Sequence, residues 1–355
     1  MRKLTSMFKP KRLPLLLGLG AMALIDVSLA ATIEEVVVSP VTIIEEQTGS
    51  NPWSHLEFPN ADIDFQFAIV SDNTGGAYPG VFDAAMTKLN LLQPEFVMSV
   101  GDLIEGYSNN REALTAEWEE IDASVDKLEM PFFYVVGNHD IGDPASAEVW
   151  RERLGRSYYH FRYKDVLFLC MNTEDPPQDL PAWLLEGMAK VSKTQESDPA
   201  QAEKIKLELL ARMREAFVTT GEEYMAAFSD QQVGYFKKVI AANPDVKWTF
   251  VFVHRPVWQA NPQDKKFMEI EAALSGRPYT VFAGHAHTYE YQERKGMDYI
   301  RLSTTGGAWV FDPPGNFDHI AWVTMTDEGP VVANITLDGI FDKTGKRLPV
   351  RETLQ

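Results

Sequence analysis

Cysteine is nearly absent: Cys170, inside the apolar run VLFLCMN, is the single thiol in 355 residues. One thiol cannot close an internal disulfide, so the fold must stand on its hydrophobic core even in an oxidising compartment, and the surroundings of Cys170 favour a buried core thiol. Basic residues are scarce as well, 33 Lys and Arg against 51 Asp and Glu, for a formal net charge of −18. A field of that sign repels nucleic acid and anionic lipid, excludes both as partners, and favours solubility. The apolar stretch from Leu13 to Ile25 has 13 residues and is followed directly by Asp26, short of the roughly 20 that a spanning helix needs. Internal repeats and low-complexity tracts are also lacking.

What is present begins with an export signal. MRKLTSMFKPKR carries five positive charges, LPLLLGLGAMALI is apolar, and SLA followed by Ala31 offers small residues at the positions a signal peptidase reads. Residues 1–30 are therefore expected to be a cleaved secretory signal, placing the protein in a periplasm or outside the cell with no membrane attachment afterwards. Their loss, five bases and one acid, takes the net charge from −18 to −22 and leaves 325 residues, enough for one large domain or two small ones. Residues 31–62 read as an N-terminal arm, in which VVVSPVTII is either an edge strand or loose chain.

From residue 63 to about 345 the pattern is that of one folded domain. The runs FQFAIVS, EFVMSV, PFFYVV, VLFLCM, WTFVFV, YTVFAG and YIRLST are almost continuously apolar, as strands buried on both faces are. Leu114, Trp118, Ile121, Val125 and Leu128 fall at three- and four-residue steps, one face of a helix. Strand alternating with helix predicts an α/β layered fold. Between about 181 and 230 the chain turns helical and charged, which predicts an insertion serving as a lid or as a contact between copies in a homo-oligomer. Beyond Asp298 the runs become antiparallel in character, with HIAWVTM and PVVANITLD joined by the hairpin signal TDEGP.

The chemistry sits where strands end. FAIVS stops at Asp72, FVMSV at Gly101-Asp102, FFYVV at Gly137-Asn138-His139-Asp140, FVFV at His254, and TVFA at Gly284-His285-Ala286-His287. Open α/β sheets build their sites at the carboxyl ends of strands, and glycine before Asp102, Asn138 and His285 lets backbone approach closely. A lone acid after a strand is usually a helix cap, and GNHD alone reads equally as a turn. Five such ends in sequence point to a site of carboxylate, amide and imidazole, a donor set that suits Mn, Zn or Fe and does not choose among them.

GD at 101, GNHD at 137, His254 and GHAH at 284 together resemble the signature of the calcineurin-like metallophosphoesterase superfamily over residues 63–340. The resemblance implies two mixed β-sheets packed as a sandwich flanked by helices, with a dinuclear metal site on the loops at one end. It implies that Asp102 bridges two metals, that Asn138, His254 and His285 complete one, and that Asp72 and His287 hold the other. His139 would contact the phosphate and assist the leaving group, with Asp140 orienting its ring. Two cations about 3.5–4 Å apart clamp phosphoryl oxygens and lower the pKa of a bridging water, so a small-molecule phosphomonoester or phosphodiester is the expected substrate.

One departure stands out. The superfamily has a histidine two residues after the first acid, and here that position is Thr74. Purple acid phosphatases, similar in this lack, supply a tyrosine three residues after the bridging acid, where this chain has Glu105. Glu105, directly or through water, is the expected replacement, with Asn73 or Thr74 as alternatives; otherwise Glu105 is a loop carboxylate, or one metal binds weakly. Arg255 in HRP could meet a phosphate or form a structural ion pair. The loop GYSNNRE at 106–112 is the expected wall of the substrate pocket, and STTGG at 303–307 either closes the site with backbone groups or is a plain turn. His55, His160 and His319 lack motif context and read as surface or core residues.

Overall fold

The computed structural model describes residues 41–42, 50–56, 64–108, 110–177, 181–195, 198–213, 215–216, 226–260, 264–309, 315–337, 339–342 and 344. The expected signal at 1–30 lies outside them, as do most of the 31–62 arm, residues 217–225 of the insertion and both ends of the expected 63–345 domain. Two sheets form. One runs β13 (Gly339–Asp342), β12 (Gly329–Thr336), β11 (His319–Thr326), β2 (Phe65–Val70), β3 (Phe96–Ser99), β4 (Phe132–Phe133). The other runs β1 (Val41–Thr42), β5 (Tyr159–Tyr163), β6 (Val166–Cys170), β7 (Trp248–Phe252), β8 (Tyr279–Ala283), β10 (Met297–Arg301), β9 (Glu290–Arg294).

Both sheets are mixed. Strands β2, β3 and β4 are parallel, as are β6, β7, β8 and β10, and the flanking strands are antiparallel. Beyond Asp298 the strands are antiparallel as expected, β11 pairing so with both β12 and β2; β10 joins the two modes, parallel to β8 and antiparallel to β9. The β11–β12 hairpin turns at Asp327-Glu328 as the TDEGP signal predicts.

Phenylalanine fills the space between the sheets. Phe67 packs edge-on against Phe250 at 5.0 Å and Phe168 at 5.4 Å, Phe96 against Phe168 at 5.4 Å, and Phe133 stacks on Phe161 at 4.2 Å. Cys170 lies in the same layer at 1% exposure. Each fully buried ring contributes about 1.5–3 kcal/mol by leaving water. On the outer face of the first sheet, α1 (Val81–Leu92), α2 (Arg111–Val125) and α4 (Pro144–Leu154) cover a second apolar cluster that includes Leu114, Trp118, Ile121 and Val125. The other outer face is covered by α7 (Asp230–Ala242) and α8 (Lys265–Ala273). The insertion contains two further helices, α5 (Ala182–Gln195) and α6 (Pro199–Met213), joined by the Arg212 guanidinium over the Trp183 ring at 4.2 Å.

The sandwich delivers both sets of parallel strands to one end. There the loops after β3 and β4 touch backbone to backbone: a Cβ on Gly101 would lie 2.5 Å from the Gly137 nitrogen and 2.7 Å from its Cα, and Gly101 has φ +97°. An alanine would meet both a clash and a left-handed backbone. Gly101→Ala should lower stability by about 1–3 kcal/mol, read from the denaturant midpoint; an unchanged midpoint would contradict this contact.

Candidate metal centre

Asp72 follows β2, Asp102 follows β3, and Asn138 opens α3 (Asn138–Ile141), a single helical turn after β4. From the other sheet, His254 follows β7, and His285 and His287 follow β8. The centre thus straddles the seam between the sheets. Ligand-capable atoms of Asp102, His254 and His285 lie within 4.8 Å of one another, and so do those of Asp72, Asp102 and His287. Asp102 is common to both groups. Asn138 joins the first, its Oδ1 3.0 Å from His254 Nε2.

Three imidazoles are aimed by the same device. Nδ1 of His254 lies 2.9 Å from the Val100 carbonyl, Nδ1 of His139 lies 2.6 Å from the Glu105 carbonyl, and Nδ1 of His287 is bonded to the Ala308 carbonyl. A carbonyl oxygen only accepts, so each Nδ1 carries a hydrogen and each Nε2 is left for the centre. His254 Nε2 is 3.1 Å from Asp102 Oδ2, His287 Nε2 is 3.4 Å from Asp72 Oδ1, and His139 Nε2 is 4.0 Å from Asp102 Oδ2. Tyr107 does the same for the amide: its hydroxyl accepts from Asn138 Nδ2 at 2.9 Å, turning Oδ1 toward His254.

The carboxylates are gripped by backbone. Asp102 Oδ1 accepts from the His139 amide and Asp72 Oδ1 from the His285 amide, each at 2.8 Å, while Ser71 Oγ donates to Asp72 Oδ2 at 2.5 Å. Thr305 and Gly307 amides from STTGG hold the Asp72 carbonyl at 3.0 and 3.1 Å, so that segment is tied by backbone groups to the loop after β2. Asp102, His285 and His287 have φ of 58°, 75° and 55°, a region costly for residues with a Cβ and tolerated where surrounding contacts impose it.

Two expectations need correction, those for Glu105 and Asp140, and for Arg255 one of two open alternatives is seen. Glu105 is not aimed at the centre: its Oε1 accepts from the Gly76 and Ala77 amides at 2.8 and 3.0 Å and its Oε2 from Gly75 at 3.1 Å, so it fixes the first loop from outside. Asp140 does not orient His139. It is buried, and its oxygens take the amides of Gly137, Asp102, Leu103 and Ile104 at 2.8–3.4 Å. Arg255 is the ion-pair alternative, its Nε 2.5 Å from Glu174 Oε1, with Nη1 3.2 Å from His285 Nε2. Tyr107 stands over His139 with ring centroids 4.8 Å apart, but a cavity of about 540 Å³ is lined elsewhere, by Ile141, Trp150, Arg156, Tyr158, Glu174 and Tyr235 among others. His319 is a neutral core histidine, lowered to about 4 by burial and bonded to Asn334 and Ser303, and His160 bonds the Tyr235 hydroxyl.

Glu174 has no counterpart among the sequence expectations, although an acid four residues after a buried strand is a signal of the same kind as Asp72. Of the alternatives to Glu105, Thr74 is on offer for the vacant position: it is fully buried and its hydroxyl has no hydrogen-bond partner among the described residues. A buried hydroxyl left so costs about 1–3 kcal/mol. Together with the two groups that share Asp102, this orphan donor fits a pair of metal cations. Asp72, Asp102, Asn138, His254, His285 and His287 are the residues that could hold them.

Electrostatics follow from burial. Burial opposes ionisation of Asp102, yet His254, His139 and His285 hold its pKa well below the carboxylate range. Burial alone would lower His254, but Asp102 beside it outweighs this and raises it to about 9. Burial, then the Asp102 charge, raise Asp140. A cation needs the neutral imidazole, so at pH 7 metal uptake should release a proton from His254, and affinity should rise up to tenfold per pH unit until about pH 9, then level off. Calorimetry in buffers of different ionisation enthalpy measures this; no proton release at pH 7 would contradict it. Glu105→Gln should keep both metals while losing about 1–3 kcal/mol of stability, whereas Thr74→Val should keep the fold and weaken one metal about tenfold. Metal titration and melting of the two variants decide, and the reverse pattern would reinstate Glu105 as a ligand.

A model of the calcineurin-like phosphoesterase family matches residues 65–289. The Serine/threonine-protein phosphatase CPPED1 of Mus musculus and that of Homo sapiens are 33% and 35% identical to this chain over 95 residues, 25% of this chain and 30% of either relative. The chain therefore matches under a third of the length of these curated relatives. In fold, the crystal structure of a dimetal phosphatase from Danio rerio is similar with a TM-score of 0.52 at 15% identity, over 79% of this chain and 99% of that one. With a match that runs over more than half the chain and takes in every strand-end residue from Asp72 to His287, the protein belongs to the calcineurin-like phosphoesterase family.

Proposed function

We propose that the protein is an exported, metal-dependent phosphohydrolase that cleaves small-molecule phosphomonoesters or phosphodiesters at a dinuclear centre. The observation that carries this reading is the single carboxylate, Asp102, shared by two groups of ligand-capable atoms and approached by a histidine that belongs to neither. Asp102 would bridge; Asn138, His254 and His285 would hold one ion, and Asp72 and His287 the other. When bound, two such cations (Mn, Zn or Fe) stabilise charge on phosphoryl oxygens and make a water acidic enough to attack at neutral pH.

The chain's own part is orientation and proton transfer. The Glu105 carbonyl fixes the His139 ring through Nδ1, so a proton that this ring gives up would leave from Nε2, which faces Asp102. As the phosphorus–oxygen bond breaks, that proton passes to the leaving alkoxide and the alcohol departs. Asp140 positions the residues that do this, by holding the Gly137 and Asp102 amides in one grip.

Hydrolysis of p-nitrophenyl phosphate and its bis-ester with a panel of Mn, Zn and Fe, beside metal analysis, tests the proposal; no turnover of either ester with any ion would sink it. His139→Ala should retain both metals and slow turnover by about 10²–10⁴-fold. The penalty should shrink for esters with acidic leaving groups, which need little protonation. An equal loss across leaving groups would assign His139 to phosphate binding instead.

A further inference from the structure

Helix α6 of the insertion places a cation on the rim of this centre. The helix buries Ala202 and Ile205, and the next residue, Lys206, half-buried, extends to the first loop after β2. A Cβ at Gly76 would collide with the Lys206 ammonium and come within 3.2 Å of its Cε and 3.7 Å of its Cδ. The lysine stem therefore lies along the glycine, at φ +94°. One residue earlier, a Cβ on Gly75 would stand 3.3 Å from Cε1 of His287. Lys206, Gly76, Gly75 and His287 form a continuous line of contact from the insertion to the Asp72 half of the centre.

Among the described residues no acid pairs with this ammonium. Lys127, Lys237, Lys247, Lys266 and Lys295 each pair with a carboxylate, whereas no ion pair or hydrogen bond of Lys206 occurs among the described residues. Glu105, which follows β3 and reaches across to that loop, gives its two oxygens to three of its amides. In a chain with 51 acids and 33 bases, a lysine that ends against the active-site loop without a carboxylate is available to an anion from solution.

We infer that Lys206 is a substrate-binding and specificity-determining residue, one that engages the anionic phosphoryl group of the ester and favours dianionic phosphomonoesters over monoanionic diesters. The inference rests on the phosphohydrolase reading above. Gly76 is the complement of Lys206, since any side chain there would displace the ammonium.

The test compares the metal-loaded wild-type protein with Lys206→Met and Lys206→Arg. Calorimetry with inorganic phosphate gives a readout independent of turnover, and KM and kcat are measured for p-nitrophenyl phosphate and its bis-ester. Lys206→Met should weaken phosphate binding and raise the monoester KM, each roughly tenfold, with the loss falling on KM rather than kcat and the diester KM moving less than twofold. Lys206→Arg should recover part of both. Equal phosphate affinity in wild type and Lys206→Met, or a loss shared equally by both esters, overturns the inference. If the wild type hydrolyses neither ester yet binds phosphate through Lys206, the enzymatic reading fails and the anion site stands; if it hydrolyses both and Lys206→Met changes neither constant, only the Lys206 assignment falls.

Discussion

Three carboxylates, Asp72, Asp102 and Asp140, are buried at the ends of neighbouring strands, and the rest of the site is arranged around their need for compensation. An uncompensated buried carboxylate is too costly to keep ionised. Asp140 is answered by four backbone amides, Asp102 by His254 and the His139 amide, and Asp72 by His287, Ser71 and the His285 amide. Turning those amides inward accounts for the left-handed backbone at His285, whose own N–H is the one that Asp72 holds. The carboxylates act on the imidazoles in turn: against the effect of burial, Asp102 raises His254 to about 9 and Asp72 raises His287.

Because ligands come from both sheets, the spacing of the centre depends on how the sheets pack. Phe67 on β2 and Phe250 on β7 meet edge to face, and those two strands lead to Asp72 and His254; Phe96 on β3, the strand of Asp102, meets Phe168 in the same layer. Interiors packed this densely resist sub-ångström shifts. The aromatic layer thus acts as the spacer that keeps carboxylates from one sheet at ligand distance from imidazoles of the other.

The fold and the strand-end residues were legible because both are local signals: apolar runs that stop at an acid or imidazole, and a helix face from Leu114 to Val125. What was not legible depends on backbone conformation. Asp140 follows His139 in sequence, but consecutive residues of a helical turn diverge by about 100°, so one side chain faces the centre while the other turns into the protein. Glu105 has the right offset from Asp102, yet its use is decided by the path of Gly75 and Gly76, which bring three amides to it. The partner of Arg255 lies 81 residues away at Glu174, beyond any spacing rule. PFFYVV reads as a full strand, although only Phe132 and Phe133 join the ladder, and EYQER, an exposed edge strand with little apolar content, gave no strand signal.

Cys170 has a consequence of another kind. Its thiol lies between the sheets, and burial pushes its pKa well above the usual range, so in the native protein it is both inaccessible and protonated. It ionises and meets solvent only when the two sheets part. As the single thiol of the chain, it is a built-in label for that event: alkylation at this one sulfur counts separations of the sandwich and is blind to fraying of loops or helices on the outside.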